Sequence, residues 1–274
     1  SKLSKKNVYT ITTGHQLNVL LSPLFLIYKI ISVIAYANYL NRKIKDHYFV
    51  PCFWMATEDH DFDEIKSLNL YGKNYHWDLI TQDAVGNLSS KSIVNLLSAI
   101  KNVLNESKHG QELFNIYNYS YTQNINYANA TRSLLSSLFA DYGLVVVDGN
   151  HAKFKKIFAP YLQLEIEHSH IYKTVSDTNQ LLKESYRPEI NSMKHNIFYL
   201  KNSIRSKIQF NQINYFTHDH NQMWSKSQLI DEISSFPDRF SPNVFLRTVY
   251  QECIMPNILY LGGPSEISYW IQLK

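Results

Sequence analysis

Apolar and polar positions along this chain follow two rhythms. Val8-Tyr9-Thr10-Ile11-Thr12-Thr13 alternates and is β-branched, which predicts a strand ended by Gly14-His15-Gln16. Ser22-Pro23 then offers an N-cap followed by proline at the first helical position, predicting a helix to about Arg42. The unbroken apolar run Phe49–Ala56 predicts a buried strand, roughly Tyr48 to Met55, that completes a βαβ unit with a right-handed crossover. Farther on, the pattern predicts a strand over Ser67–Tyr71, a helix over Ser90–Leu104 and a helix over Tyr127–Tyr142 closed by Gly143 in a left-handed cap. Leu144–Gly149 reads as a short buried strand and turn, and His151 to about Tyr186 as mostly helix.

Asn196–Phe216 alternates without a crossover helix, so an antiparallel β insertion is expected there. Ser225-Lys226-Ser227-Gln228 matches a capping box before a short helix ending near Phe236-Pro237. Val244–Thr248 and Ile258–Leu261 are further strand candidates, and Gly262-Gly263-Pro264-Ser265-Glu266 joins the second to a helix. Strands alternating with helices indicate an α/β fold built on a parallel sheet.

Composition narrows this little. At 274 residues, 45% hydrophobic and 18% charged, the chain is globular in type, with enough length for one large domain or two small ones. A net charge of +4 without a dense Lys/Arg run permits an anionic small ligand and gives no footprint for nucleic acid. The basic start, Ser1 to Lys6, reads as a solvated end. Cys52 and Cys253 both lie in apolar surroundings, the usage of a reducing compartment. The longest apolar stretch, Leu17 to Leu40, is interrupted by Asn18, Ser22, Pro23, Lys29 and Ser32, which argues against a membrane span. No signal peptide pattern precedes the first strand, so the cytoplasm is the expected location. Both ends look cut, as in a fragment of a longer protein.

The chemistry concentrates in Glu58-Asp59-His60-Asp61-Phe62-Asp63-Glu64, where five carboxylates and one imidazole follow a buried strand. Ligands bind at the carboxyl ends of strands in open α/β sheets. The βαβ geometry puts Thr13-Gly14-His15-Gln16 at the same edge. Three readings stand. The run can bind a ligand, its carboxylates accepting from hydroxyl or ammonium groups while His60 donates or acts as base. It can be structural, with Asp61 and Glu64 favouring a helix start. It can hold a metal through His60 with Asp59, Asp61 or Asp63, although the calcium-loop and two-histidine zinc spacings are missing.

Gly262-Gly263-Pro264-Ser265-Glu266 is either an anion-binding turn at a helix N-terminus or a plain tight connection. It carries no Walker or dinucleotide fingerprint. His47, His76, His109, His195, His218 and His220 read as surface or hydrogen-bonded structural residues. His168 and His170 are predicted on different faces of one helix. Cys52, mid-strand, is not expected to be reactive.

Three segments together resemble one family: Thr12–Gln16 with Ser22–Lys29; Phe53–Ile65; and Phe240–Arg247 continuing through Gln251, Glu252 and Pro256 to Gly262–Trp270. Tyr142–Asp148 is a looser fourth match. These resemble bacillithiol synthase, the cysteine-adding ligase of bacillithiol biosynthesis. The resemblance implies a Rossmann-like core related to class I aminoacyl-tRNA synthetases. On that footing residues 1–274 are one core: a first βαβ half over 8–150, a helical connection over 151–195, the β insertion over 196–223 and a return to the core over 224–274. Family members are about twice as long, and their coiled-coil arm, a route to a homodimer, is absent from this chain.

The resemblance also implies that cysteine is added to the amine of glucosaminyl malate to form an amide; the cofactor is left unassigned, ATP or another nucleotide being one option, because the family lacks the nucleotide-activating signatures of its synthetase relatives. Cysteine and glucosaminyl malate are the implied small-molecule partners, and neither nucleic acid nor membrane is expected. His60, Asp59 and Asp61 become the candidate catalytic residues. Thr13, Gly14, His15, Gln16, Glu58, Asp63, Arg247, Gln251, Gly262, Gly263, Pro264, Glu266 and Tyr269 become candidate substrate-binding residues, with no metal ligand assigned. The chain departs from the family pattern at His15, where glutamine is usual, and at Ser265, where glycine is usual. Two other classes stay open: a non-catalytic sugar- or nucleotide-binding module and a metal-dependent hydrolase.

Overall fold

The computed structural model describes residues 6–187, 190 and 192–273. Most of the basic start and the last residue, Lys274, lie outside the described residues. The chain divides into two units, one of residues 1–149 with 258–261 and the other of residues 150–257 with 262–274.

The first unit opens with β1 (Val8–His15) and, after a 3-10 turn over Val19–Leu21, enters α1 (Leu24–Lys43). Ser22 does not cap this helix: Pro23 is the N-cap residue and no side chain bonds the first turn. The proline alone gives the start, since it fixes φ and has no N–H to satisfy. The helix is long and apolar enough, by length and composition, to cross a membrane. Its Leu26, Ile30, Val33 and Ala37 are instead buried, with Val33 and Ala37 in one cluster with Ile11 and Phe49.

β2 (Tyr48–Met55) pairs in parallel with β1 from Val8↔Tyr48 to His15↔Met55. A short α2 (Phe62–Ile65) follows, then a hairpin of β3 (Ser67–Leu70) and β4 (Lys73–His76) separate from the parallel sheet. Three helices come next: α3 (Val94–Leu104), α4 (Lys108–Thr122) and α5 (Tyr127–Phe139). Gly143 closes the turn after α5 at φ 80°, in the left-handed region expected of it. β5 (Val145–Asp148) then pairs in parallel with β2. With a later strand the sheet order is β12-β1-β2-β5. The main core joins Phe53 and Met55 of β2 to Phe62, Trp77, Tyr121, Tyr127 and Leu134. Phe62 meets the Trp77 ring edge-on at 5.0 Å, and Trp77 leans on Tyr127 at 4.7 Å. Cys52 is buried mid-strand, and burial pushes its thiol up to about 12, so the reactive thiolate is disfavoured.

The second unit begins with α6 (Ala152–His168) and α7 (His170–Leu182), separated by Ser169 in the left-handed region at φ 51°. His168 and His170 are therefore not two faces of one helix; the break brings their rings to 5.1 Å. Two antiparallel sheets follow, built from β6 (Ile197–Lys201), β7 (Ile204–Lys207), β8 (Gln209–Phe210), β9 (Tyr215–Thr217) and β10 (Gln222–Trp224). α8 (Lys226–Ser235) starts at the capping box, Ser225 accepting from Gln228 N–H and Gln228 accepting from Ser225 N–H. β11 (Phe240–Pro242) pairs with β6.

The strand expected over Val244–Thr248 is the start of a helix, α9 (Leu246–Ile254). The buried Asn243 side chain accepts from the N–H groups of Phe245 and Leu246, satisfying donors that a strand would have paired in a ladder. Cys253, on this helix, is only half-buried. β12 (Asn257–Tyr260) supplies the sheet of the first unit through Ile258–Leu261, and α10 (Pro264–Trp270) returns the chain to the second unit.

A buried polar relay runs through this unit. Glu165 of α6 accepts from Asn196 at 2.9 Å, and Asn196 accepts from Asn243 at 2.7 Å. Next to it His195 is buried between the rings of Tyr215 and Phe210. Burial lowers the His195 pKa from 6.5 to about 4 and raises that of Glu165.

Two outcomes test this packing. Between about pH 4 and 6.5 the unfolded state protonates His195 while the folded state does not, so this group's contribution is lost as pH falls through that window. Glu165, with its raised pKa, contributes in the opposite sense, losing stability as pH rises. His195→Phe should therefore be more resistant than the wild type to acid destabilisation over that window, read by denaturant melts at each pH. Phe62→Ala should cost about 3–5 kcal/mol of unfolding free energy, measured by urea titration.

Candidate functional site

Parallel register places the carboxyl ends of β1, β2 and β5 side by side, because His15 pairs with Met55 and Met55 with Asp148. The acidic run leaves this edge as a tight loop. Ala56 N–H reaches back to His15 O at 3.4 Å, and Asp59 N–H to Ala56 O at 3.3 Å. Asp61 N–H donates to Asp59 Oδ1 at 3.1 Å, and Phe62 N–H to His60 O at 2.9 Å. Buried Phe62 and Ile65 of α2 then fasten the far end of the loop into the core. Asp61, Asp63 and Glu64 thus lie on the loop's outer side, whereas Glu58 Oε1 is buried.

Gln16 is the centre of the cluster. Its Nε2 donates to Asp59 Oδ2 at 3.0 Å and to Glu64 Oε2 at 2.7 Å, so one neutral amide holds two carboxylates together. His60 Nδ1 lies 2.9 Å from Glu58 O. A carbonyl can only accept, so the proton sits on Nδ1, and in the neutral ring the lone pair is on Nε2. His15 Nδ1 similarly lies 3.2 Å from Gln16 O. Among the described residues no group of three or more His, Cys, Asp or Glu side chains converges to hold a metal ion.

Gly14, next to last in β1, sits in a confined place. A Cβ there would stand 3.1 Å from Tyr260 Oη and 3.3 Å from Trp54 O, tighter than side chains normally tolerate. Thr13 is fully buried, and its hydroxyl donates to Leu261 O at 2.7 Å, tying the end of β1 to the residue after β12. Asp63 points elsewhere: its side chain is 87% exposed and paired with Lys66 at 2.5 Å. Such a surface pair contributes little.

In the second unit, Arg247 and Gln251 stand one turn apart on α9. Arg247 donates to Tyr269 Oη at 2.6 Å and lies 3.8 Å from Glu266 Oε1. Glu266 Oε2 accepts the N–H of Gly263 at 2.7 Å, and Pro264 occupies the first position of α10. Gly262 precedes this turn. Gln251 is fully buried, its amide donating to Glu252 Oε1 at 3.1 Å. Arg247, Glu266, Tyr269 and Gly263 thus form one hydrogen-bonded group.

Several participants were not singled out from sequence. Asp148, at the end of β5, accepts from the Thr57 hydroxyl at 2.5 Å and lies 3.7 Å from the Arg132 guanidinium, which also donates to Val146 O at 2.8 Å. The signal was available, since Asp148 ends an apolar run just as the acidic loop does. Gly86 backs the loop: its N–H donates to Thr57 O at 3.0 Å, and a Cβ there would fall 2.8 Å from Thr57 Cβ. Lys29, inside the buried stripe of α1, donates to Gly14 O at 2.5 Å.

Comparison with known proteins bears on this arrangement. The model of the family described as "Bacillithiol biosynthesis BshC, N-terminal Rossmann-like domain" matches residues 1–274. Relatives that carry the name "Putative cysteine ligase BshC" include one from Flavobacterium johnsoniae, 42% identical over 272 residues, covering 99% of this chain and 51% of that protein. Another from Cytophaga hutchinsonii is 36% identical over 274 residues, covering 100% and 51%. One from Bacillus cereus is 27% identical over 284 residues, covering 99% and 53%. The chain spans about half the length of the curated relatives it matches. A parallel sheet in the order β12-β1-β2-β5, a charged loop at its carboxyl edge and a family match over the whole sequence agree: the chain belongs to the bacillithiol biosynthesis BshC family, as its N-terminal Rossmann-like domain.

Proposed function

We propose that this chain is the substrate-binding core of a ligase that joins cysteine to the amine of glucosaminyl malate through an amide bond. The observation that carries the reading is the Gln16–Asp59–Glu64 cluster beside His60 at the carboxyl edge of β1 and β2. The names of the relatives supply the substrate class, cysteine.

In this reading the sugar amine attacks the carbonyl carbon of cysteine activated by ATP or another nucleotide. The C–N bond forms, the activating group leaves with its electron pair, and the nitrogen sheds a proton. In this reading His60 Nε2 takes that proton, a role supported by the commitment of Nδ1–H to the Glu58 carbonyl. Asp59 is held by Gln16 and by the Asp61 amide, so its carboxylate is pre-set to accept from an ammonium or a sugar hydroxyl. Asp61 and Glu58 flank it as further acceptors. Thr13, Gly14 and His15 shape the floor, while Asp63, exposed and paired with Lys66, takes no part. Taken by itself, the second unit offers in Arg247, held by Tyr269 and Glu266, a cationic donor for a carboxylate-bearing ligand.

The full-length protein, assayed for bacillithiol formation from glucosaminyl malate and cysteine, tests the reading. His60→Ala should lower kcat by about 10²- to 10⁴-fold, the range of a lost general base. Asp59→Asn should raise KM for glucosaminyl malate more than it lowers kcat. Wild-type kinetics in both variants would remove these roles. Tight binding of glucosaminyl malate by calorimetry with no turnover in the wild type would instead make the site a binding module.

A further inference from the structure

We infer that the outer face of α1, with the apolar groove beside it, seats the polypeptide that follows this domain in its longer relatives. From Leu24 to Asn41 the one charged residue is Lys29, and it is buried. A surface helix normally carries its charges on the solvent side. Here the solvent side holds Leu24, Phe25, Tyr28, Ile31, Tyr36 and Tyr39, with Leu24 65% and Tyr28 61% exposed. The opposite stripe, Leu26, Ile30, Val33 and Ala37, is buried. The helix thus has two apolar faces, and the described residues cover one. Leu24, Tyr28 and Ile31 recur at alternating helical spacings, which aligns them as a ridge. Leu24 and Ile31 also wall a groove of about 750 Å³, closed on its other sides by Leu70 of β3, Leu104 of α3, Leu113 of α4 and Leu138 of α5. All of these residues lie in the first unit. The six exposed side chains alone present on the order of 500 Å², near the upper end of what monomers leave open, and the groove extends it.

The choice of occupant follows from the surface and from the lengths of the relatives. Lipid fits poorly: the inner face of α1 is packed with Ile11 and Phe49, so the helix cannot sink into a bilayer without leaving its core. Its basic residues, Arg42 and Lys43, stand only in the last turn, not along the face as in a helix lying on a membrane. Copies that meet from solution do so through a patch with a polar, solvated rim, whereas this face runs for most of a 20-residue helix without an exposed charge. More of the same polypeptide fits both facts. This chain covers 51–53% of the relatives it matches, and the family describes it as their N-terminal domain. A stretch nearly as long therefore follows it in them. Tethered to the domain, that stretch meets the face at high effective concentration and covers apolar surface that would otherwise drive aggregation.

The inference rests on family membership and is independent of the ligase reading. In the full-length protein, Ile31→Cys should react with a maleimide about tenfold or more slower than Ile80→Cys, as expected of a side chain reached only through local opening. Ile80 is the fully exposed control in the same unit. Rates are read on the modified peptides by mass spectrometry, which keeps Cys52 and Cys253 apart from the signal. If Ile31→Cys does not fold, Tyr28→Cys replaces it. Equal rates at the two positions would overturn the inference. To identify the cover, full-length protein carrying p-benzoylphenylalanine in place of Tyr28 is irradiated as a mixture of isotope-labelled and unlabelled copies. Adducts should join that position to peptides beyond residue 274 of the same copy. Adducts confined to residues 1–274, adducts joining labelled to unlabelled copies, or no adduct would each overturn it. So would co-sedimentation of the wild type with phosphatidylglycerol vesicles that is lost in Tyr28→Asp, which would make the face a lipid-binding one.

Discussion

The parallel pairing of β1 with β2 is the constraint from which the rest follows. Its register runs without a break from Val8↔Tyr48 to His15↔Met55, so both strands stop at one level. β5 joins β2 with Asp148 opposite Met55, and Leu261 N–H bonds to Thr12 O on the other flank. A slip of one residue would turn Ile11 and Phe53 away from their cores. It would also carry Gln16 out of reach of Asp59. The same pairing thus sets both the packing and the alignment of the charged loop.

Concentrating five carboxylates in one loop needs compensation, and for Asp59 and Glu64 a neutral amide takes part in it. Gln16 gives its amide to two of them, the Asp61 backbone N–H to one, and Lys66 takes Asp63 at the surface. Neutral donors leave the negative charge in place while fixing its geometry, whereas a close cation would quench it. An acceptor site for ammonium or hydroxyl groups needs the former. Phe62 on Trp77 provides the complementary apolar hold on the loop.

Much of this was legible in the residues. The alternation of Val8–Thr13, the apolar run before Glu58, the Gly143 cap and the Ser225 box each encode local geometry, and the structure follows them. The α/β class and the shared edge of Gln16 and Asp59 came from the βαβ order alone. What escaped depends on distant partners. Val244–Thr248 carries β-branched residues, yet the Asn243 side chain turns it into a helix start. Helix α4, polar in composition, has little periodic signal until Ser107 caps it and Phe114 and Tyr121 find the core. Lys29 read as an interruption of an apolar helix because its partner, a backbone carbonyl, leaves no mark in composition. Asp148 and Arg132 meet only once β5 is in place.

The last strand of the first unit's sheet has a consequence for biosynthesis. Ile258–Leu261 is made only after the whole of residues 150–257 has emerged, yet it belongs beside β1, which is made before them. Until then the outer edge of β1 stands open, with the Thr12 carbonyl and the Thr13 hydroxyl lacking their native partners. An open edge of this kind is a template for pairing with another chain. A pause during translation of residues 150–257 would prolong the exposure of that lateral edge.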